Sequence, residues 1–316
     1  MNVKYKNLAI KFLKRHYSDK LVEIERLTTG LCHYVYKVRF QNGDECVIRV
    51  GSKESAALIR SGIYWNRYLA KYDLPIPQLF HCDETLENPY MIIEKLPGLD
   101  LHFVYDELTS SEKRKLARDI VAIQAKVSQL KPNDCFGYAE KYGDENLSEN
   151  SSWKDIVVQS IIRSKRRIAA TKIFEFTYPE QLLNLFDGFE EYFEGIKPTP
   201  FLDDITNKNV LIEKGQLAGI CDIDELCFGD KLQHLALTRM ALISQKSDLD
   251  YIQFFIDAYK LSREELRVLD FYTLVCCLDF MSEIGQRFNR DEIPSYDSER
   301  VVFLKSVFEK YYNKIA

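Results

Sequence analysis

No Cys-x-x-Cys pair, no internal repeat, no low-complexity tract and no apolar run of membrane-spanning length occurs in the chain. Each absence removes a class of protein. The eight cysteines, Cys32, Cys46, Cys82, Cys135, Cys221, Cys227, Cys276 and Cys277, are scattered, and the adjacent last two fall inside an apolar helical run. Such spacing fits reduced core residues better than a disulfide framework or a zinc site. The opening residues, Met-Asn-Val-Lys-Tyr-Lys-Asn-Leu-Ala-Ile-Lys-Phe, are broken by lysines and supply no secretory h-region. A cytosolic (cytoplasmic) protein with no membrane partner is therefore expected. Basic charge is short as well. Lys and Arg number 43 against 48 Asp and Glu, a formal charge of -5 and the opposite of a nucleic-acid binder's bias.

What remains is a 316-residue chain, 46% hydrophobic, enough for one large domain or two modest lobes with their own cores and too apolar for disorder. Its acidity is not spread evenly. Between Phe201 and Asp230 the acids Asp203, Asp204, Glu213, Asp222, Asp224, Glu225 and Asp230 are balanced only by Lys208 and Lys214, which accounts for the whole net charge. A site for Mg2+ needs a local cluster of this kind.

The chain begins as a short helix followed by strands. Tyr34-Val-Tyr-Lys-Val-Arg-Phe alternates between two faces, Asn42-Gly43 is a hairpin turn, and Cys46-Val-Ile-Arg-Val is the returning strand. Ser55 to Lys71 is helical by composition, and Leu74-Pro-Ile-Pro ends it. Tyr90-Met-Ile-Ile-Glu reads as a buried strand, and Leu96-Pro-Gly as a hinge. Beyond the hinge helices dominate. Thr109-Ser-Ser-Glu112 is a capping box that leads into Leu116, Ile120, Ile123 and Val127 on one face. A second helix runs from near Ser152 through Arg167, a third from Glu180 to Phe193, and Ser262-Arg-Glu-Glu265 caps a later one. The pattern implies an α+β architecture: a small β-rich lobe hinged to a larger, mostly helical lobe that carries one β-hairpin.

The chemistry lies in Phe201-Leu-Asp-Asp-Ile-Thr-Asn-Lys-Asn-Val-Leu-Ile, followed by Gly219-Ile-Cys-Asp-Ile-Asp-Glu. Asp204 and Asn209 stand five positions apart on a loop that feeds an apolar strand, and a hairpin returns as a second apolar strand ending at Asp222. Phosphoryl transfer to a hydroxyl needs the acceptor oriented, the phosphates clamped and the charge offset by metal. Asp204 would take the acceptor's proton, and Asn209 and Asp222 would hold Mg2+. Val210-Leu-Ile and Leu217-Ala-Gly-Ile-Cys would fix the distance between the two ligands. An ordinary hairpin with polar ends is the competing reading. No Asp-Phe-Gly or Ala-Pro-Glu element follows, which argues against a protein kinase.

The loop and strand end are similar to the H-x-D-x-x-x-x-N signature and following I-D of the aminoglycoside phosphotransferase and choline kinase-like family. Gly229-Asp230 resembles its downstream G-D. The similarity covers about residues 20 to 245. Leu27-Thr-Thr-Gly-Leu-Cys-His-Tyr-Val-Tyr-Lys-Val resembles the nucleotide-covering loop, with Gly30 its sole glycine. Cys46-Val-Ile-Arg-Val resembles the strand whose base, here Arg49, contacts phosphate. Leu74-Pro-Ile-Pro and Tyr90-Met-Ile-Ile-Glu-Lys-Leu-Pro-Gly resemble the approach to the hinge, where backbone groups from Glu94 to Leu96 would read adenine. The resemblance implies a bilobal protein-kinase-like fold, with residues 1-95 the nucleotide-binding lobe and 96-316 the catalytic and acceptor-binding lobe. It also implies an ATP- or GTP-dependent, Mg2+-requiring phosphotransferase acting on a hydroxyl of a small molecule.

The sequence departs from that pattern in places. Leu202 stands where the family has histidine, and Asp203 where it has glycine. Arg49 replaces the lysine of protein kinases; it can clamp phosphate or be a strand-edge surface charge. The glutamate expected on the following helix meets Gly62, leaving Glu54 as the nearest acid. A nucleotide-binding pseudokinase, acting as sensor or scaffold, is the alternative these departures raise, and retention of Asp204, Asn209 and Asp222 favours the enzyme. Asp224, with Glu225 and Asp230, reads either as a negative wall for a cationic acceptor or as a metal-tuning acid beside a capping one. Asp279 and Glu283, four apart on a late helix, read as acceptor-pocket lining or as a solvated face. Trp65 and Trp153 read as core.

Overall fold

The computed structural model describes residues 2-18, 20-28, 30, 32-143 and 150-316. Helix α1 (Asn2–His16) leads into β1 (Leu21–Leu27), β2 (Tyr34–Phe40) and β3 (Glu45–Val50), followed by α2 (Ala56–Leu69), β4 (Leu79–Asp83) and β5 (Tyr90–Glu94). The strands pair antiparallel in the order β1-β2-β3-β5-β4. The β2–β3 turn is at Asn42-Gly43 as the sequence predicts. Gly43 adopts φ +93°, a region costly for a side chain, and Asn42 Oδ1 accepts from the Asp44 N–H at 3.0 Å.

Alternation along the strands sorts this sheet into two faces. Tyr34, Tyr36, Val38, Ile48 and Val50 pack against Tyr5, Ala9, Phe12 and Leu13, which recur at helical spacing on α1. Tyr5 stacks on Tyr34 with ring centres 3.7 Å apart, and Phe12 on Tyr90 at 4.2 Å. The other face takes Ile59 and Ile63 of α2 against Met91 and Ile93. Arg49, paired with Met91 across β3 and β5, therefore points to the α2 side.

After Leu96-Pro97-Gly98 the chain leaves that sheet. The order continues as β6 (Leu99–Asp100), α3 (Leu101–Val104), α4 (Ser110–Val127), β7 (Gly137–Ala139), α5 (Trp153–Thr171), α6 (Thr177–Leu185), α7 (Glu190–Glu194), β8 (Pro200–Phe201), β9 (Val210–Glu213), β10 (Gln216–Ile220) and β11 (Leu226–Phe228). Helices α8 (Leu232–Gln245), α9 (Asp250–Tyr259), α10 (Arg263–Glu283) and α11 (Ser298–Ile315) complete it. Gly98 takes φ +85°, and a side chain there would run into the Ile212 backbone, so the crossover lies directly on the β9–β10 hairpin.

The capping boxes at Thr109/Glu112 and Ser262/Glu265 both form, with side chain and backbone satisfied reciprocally. Leu116, Ile120, Ile123 and Val127 are buried along one face of α4, each such side chain contributing about 1.5–3 kcal/mol. The predicted helix from Glu180 to Phe193 is corrected. It starts earlier, at Thr177, with Pro179 in the first turn where its missing N–H is harmless, and it breaks into α6, a 3-10 turn over Phe186–Phe189 and α7. Packing overrides periodicity there: Phe186, Phe189 and Phe193 converge on Phe271 of α10. Trp65 and Trp153 are fully buried, their indole N–H groups donating to the Ala139 carbonyl and the Tyr272 hydroxyl, each at 2.6 Å. The eight cysteines are free. None of the described helices is long and apolar enough to cross a membrane.

Candidate active site

Two short sheets bring the acidic stretch together. In one, β9 pairs with β10; in the other, β11 pairs with β7 and β8. The loop 202-209 therefore runs from β8 to β9, and the loop 221-225 from β10 to β11. Each loop is held at both ends by strands that pair with the ends of the other. That double bracket sets Asp204 beside Asp222, 18 positions further along the sequence. A backbone bond from the Cys221 N–H to the Asn209 carbonyl, 2.9 Å, ties the loops directly.

Within the first loop, Asn209 Nδ2 donates to the Asp204 carbonyl at 2.9 Å, and Thr206 Oγ1 to Asp204 Oδ1 at 3.0 Å. Asp204 turns its carboxylate to the cleft and is exposed there, while protein crowds it on the other sides. Burial at the cleft floor, followed by the nearby charges of Asp203 and Asp222, pushes its carboxyl up to about 7. Water in the open cleft screens part of that effect. Burial also raises Asp203, to about 6, although Tyr138 donates a hydrogen bond to it. The cleft between these groups is small and is lined by Asp203, Asp204, Cys221, Asp222 and Glu225 among others.

Sequence reasoning missed what organises the loop where the family's histidine is absent. Leu202 is buried, and its backbone is clamped by the Gln124 side chain from α4. Gln124 Oε1 accepts from the Leu202 N–H at 3.0 Å, and Gln124 Nε2 donates to the Leu202 carbonyl at 2.6 Å. A side-chain amide can satisfy a donor and an acceptor of one residue at once. The one signal in the sequence was its place on α4, four residues after Ile120 and three before Val127, which sets a glutamine on the flank of the apolar stripe.

Asp222 sits at φ +63°, a left-handed conformation uncommon for a residue with a side chain. Arg49 Nη2 donates to Asp222 Oδ1 at 2.5 Å and to Asp224 Oδ2 at 2.7 Å. Arg49 is 4% exposed, so the reading of a strand-edge surface charge does not hold. Glu54, the nearest acid to Gly62 in the sequence, is not its partner among the described residues: the carboxylates on Arg49 are Asp222 and Asp224 of the 221-225 loop, which only the tertiary fold brings there.

Asp224, read from the sequence either as part of an acceptor wall or as a metal-tuning acid, turns its carboxylate toward α2. Its Oδ2 also accepts from His33 Nε2 at 2.6 Å, and its Oδ1 is buried against Gly62. Burial opposes its charge, yet Arg49 and then His33 hold its carboxyl well below the usual range. Asp230 accepts from the hydroxyls of Tyr192 and Tyr272, both at 2.9 Å, and from the Leu232 N–H at 3.0 Å. It is a buried capping group.

Asp279 is held by α5, accepting from Ser164 Oγ at 3.1 Å and Arg163 Nη2 at 3.2 Å, with Arg167 Nη1 at 3.5 Å. Glu283 is half-buried, and burial, with Asp279 next, pushes its carboxyl up to about 7 against the pull of Arg167 and Lys208. Lys208 belongs to the loop of Asp204, so that end of α10 faces the loop.

Of the hinge residues, the Glu94 N–H already donates to the Gln78 carbonyl at 2.8 Å, and the Leu96 carbonyl accepts from Lys95 Nζ at 2.8 Å. The Leu96 N–H has no partner among the described residues. Gly30 has open space where a side chain would stand, and its carbonyl accepts from Asn289 Nδ2 at 3.1 Å. Asn289 also donates to the His33 carbonyl at 2.9 Å, so the segment after α10 reaches back to the covering loop.

The donor set suits Mg2+. Asn209 Nδ2 is used within the loop, which leaves its Oδ1 with no protein partner among the described residues. Besides burial, the charges of Asp203 and Asp222 raise the Asp204 carboxyl, a repulsion that a hard cation relieves. No group of three His, Cys, Asp or Glu converges on one point among the described residues. Mg2+ does not need one, because it takes one or two protein oxygens and fills its octahedron with phosphate and water.

Comparison with known proteins agrees with this layout. A family profile described as APH, Phosphotransferase enzyme family, matches residues 23–272, well over half the chain. A sequence search of curated proteins finds no match. Among solved structures, an apo thermostable mutant of aminoglycoside phosphotransferase APH(4)-Ia is 16% identical over 97% of this chain and 99% of its own, with TM-score 0.67. The GDP complex of a mutant aminoglycoside 2'-phosphotransferase-IIIa is 14% identical over 98% and 99%, with TM-score 0.70. The gentamicin–APH(2")-IIa complex is 14% identical over 96% and 95%, with TM-score 0.67. At such identities the likeness carries the fold, a bilobal protein-kinase-like one.

Proposed function

The chain belongs to the phosphotransferase enzyme family, and on that premise we propose that it moves the γ-phosphate of ATP, or of GTP, to a hydroxyl of a small molecule. The observation that carries this reading is the meeting of Asp204, Asn209 and Asp222 at two strand-bracketed loops, with Arg49 reaching Asp222 from the first sheet. On this reading residues 1-95 bind the nucleotide, and residues 96-316 supply the catalytic loop and the acceptor site.

The acceptor hydroxyl hydrogen-bonds to Asp204 and gives it its proton as the oxygen bonds to γ-phosphorus. The bond from γ-phosphorus to the bridging oxygen breaks, and the nucleoside diphosphate leaves with that electron pair. Asn209 and Asp222 would hold Mg2+, which would neutralise charge on the phosphates. Arg49, once turned from Asp222, is placed to contact phosphate oxygens through its remaining donors. The Leu96 N–H, without a protein partner among the described residues, is available to an adenine or guanine ring. Glu283 lines the acceptor side, with Asp279 holding α10 against α5.

The test is ADP release across aminoglycosides, macrolides, amino alcohols, homoserine and sugars, with Asp204→Ala as control. At least one acceptor class should raise turnover in the wild type, and Asp204→Ala should lower it about 10²–10⁴-fold. If nucleotide binds yet no acceptor turns over, or Asp204→Ala is as active as the wild type, the pseudokinase reading replaces this one.

A further inference from the structure

Kinase-type sites steady the cation that contacts phosphate with a glutamate on the neighbouring helix. In this chain that helix is α2, and Gly62 stands at the place of the glutamate and faces Asp224. A Cβ on Gly62 would lie 2.7 Å from Asp224 Oδ1. The other oxygen of the same carboxylate accepts from Arg49 Nη2 at 2.7 Å and from His33 Nε2 at 2.6 Å. The helix is fixed to the same residue: Ser61 Oγ donates to the Asp224 carbonyl and, at 3.1 Å, to the Glu140 carbonyl. The missing glutamate and the displaced aspartate are therefore one arrangement. Gly62 leaves out a side chain, and the carboxylate of Asp224 fills the space.

We propose that Asp224 is the positioning residue that holds Arg49 for the nucleotide phosphates, supplied from the metal loop in place of the helix glutamate, with Gly62 small to admit it. The proposal rests on the phosphotransferase reading above. It explains why Arg49 touches two carboxylates. Asp222 must be released to do its work as a metal ligand, whereas Asp224 has no such duty and stays. Arginine suits this better than lysine, since its separate N–H groups can keep one carboxylate while offering others to phosphate. His33 joins the covering loop to the same anchor, so loop, helix and phosphate contact are fixed at a single carboxylate.

The arrangement predicts reciprocal rescue. Asp224→Ala should weaken Mg–ATP binding about tenfold and slow ATP hydrolysis by at least as much. Gly62→Glu alone should be impaired too, because its side chain meets the Asp224 carboxylate. The double variant Gly62→Glu/Asp224→Ala should return to within about threefold of wild type, since the new carboxylate reaches Arg49 from the helix; the excess over additivity is the coupling. Calorimetric titration with Mg–ATP, coupled hydrolysis and melting temperature are read for all four proteins. A double variant that melts cooperatively but binds no better than Asp224→Ala overturns the proposal. Asp224→Asn, which keeps the packing and removes the charge, supplies a second reading: binding should weaken at least fivefold, and wild-type affinity overturns the anchor role alone. A wild-type protein that binds neither ATP nor GTP overturns the phosphotransferase reading and this one with it.

Discussion

Gln124→Leu tests whether the loop of Asp204 is held as described. Gln124 is 2% exposed, and its two bonds, 3.0 Å from the Leu202 N–H and 2.6 Å to the Leu202 carbonyl, satisfy a buried backbone donor and acceptor. Leucine has nearly the same volume and adds no polar group, so the change removes the bonds and leaves little cavity. Two buried backbone groups lose their partners, each costing about 1–3 kcal/mol, so about 2–6 kcal/mol of stability should be lost. The loss should also reach the chemistry, because Asp204 is two residues from the clamp and is positioned through this backbone. Urea unfolding should show a lower midpoint with an unchanged slope, and turnover should fall at least tenfold in the material that remains folded. A Gln124→Leu protein within about 0.5 kcal/mol of wild type, with unchanged turnover, would refute the clamp.

Gly98→Ala places a Cβ against the Ile212 backbone at φ +85°. It should cost about 2 kcal/mol or more, read as a lower melting temperature, and an unchanged one would contradict the close crossover. His234 is fully buried, with Nε2 3.1 Å from the Tyr259 hydroxyl and Nδ1 unpartnered among the described residues, and burial holds its imidazole down at about 3. Between that value and the ordinary 6.5 the unfolded chain binds a proton that the folded one refuses, so stability rises with pH through this window and is lost as pH falls below 6.5. The loss should reach about 2 kcal/mol by pH 5. Denaturant unfolding of His234→Gln from pH 7 to 5 should show a flatter slope than wild type, and parallel slopes would sink the assignment.

Much of the fold was legible because its determinants are local. The Asn42-Gly43 turn, the two capping boxes and the α4 stripe each depend on residues within a few positions, where φ preference and reciprocal hydrogen bonds decide conformation. The break between α6 and α7 was not legible. Phe186, Phe189 and Phe193 satisfy a helical spacing, but Phe271, far along the chain, sets where they pack. In the site, Asp204, Asn209 and Asp222 stood out because their order on a loop and a hairpin carries meaning without coordinates. Their helpers did not. Gln124 is 78 positions from Leu202, and Arg49 is 173 and 175 positions from its two carboxylates.

The sequence by itself determined the class of chemistry: an acid, an amide and an acid in order, the net negative charge gathered around them, and the alternation and caps of two lobes. Only the tertiary structure decided which groups those residues meet. A carboxylate's partner is chosen by proximity and by the low dielectric of the place it occupies, neither of which is written in spacing. The absent glutamate near Gly62 therefore looked like a defect in the sequence. In the folded chain the same glycine makes room for Asp224, and Arg49 keeps its acid.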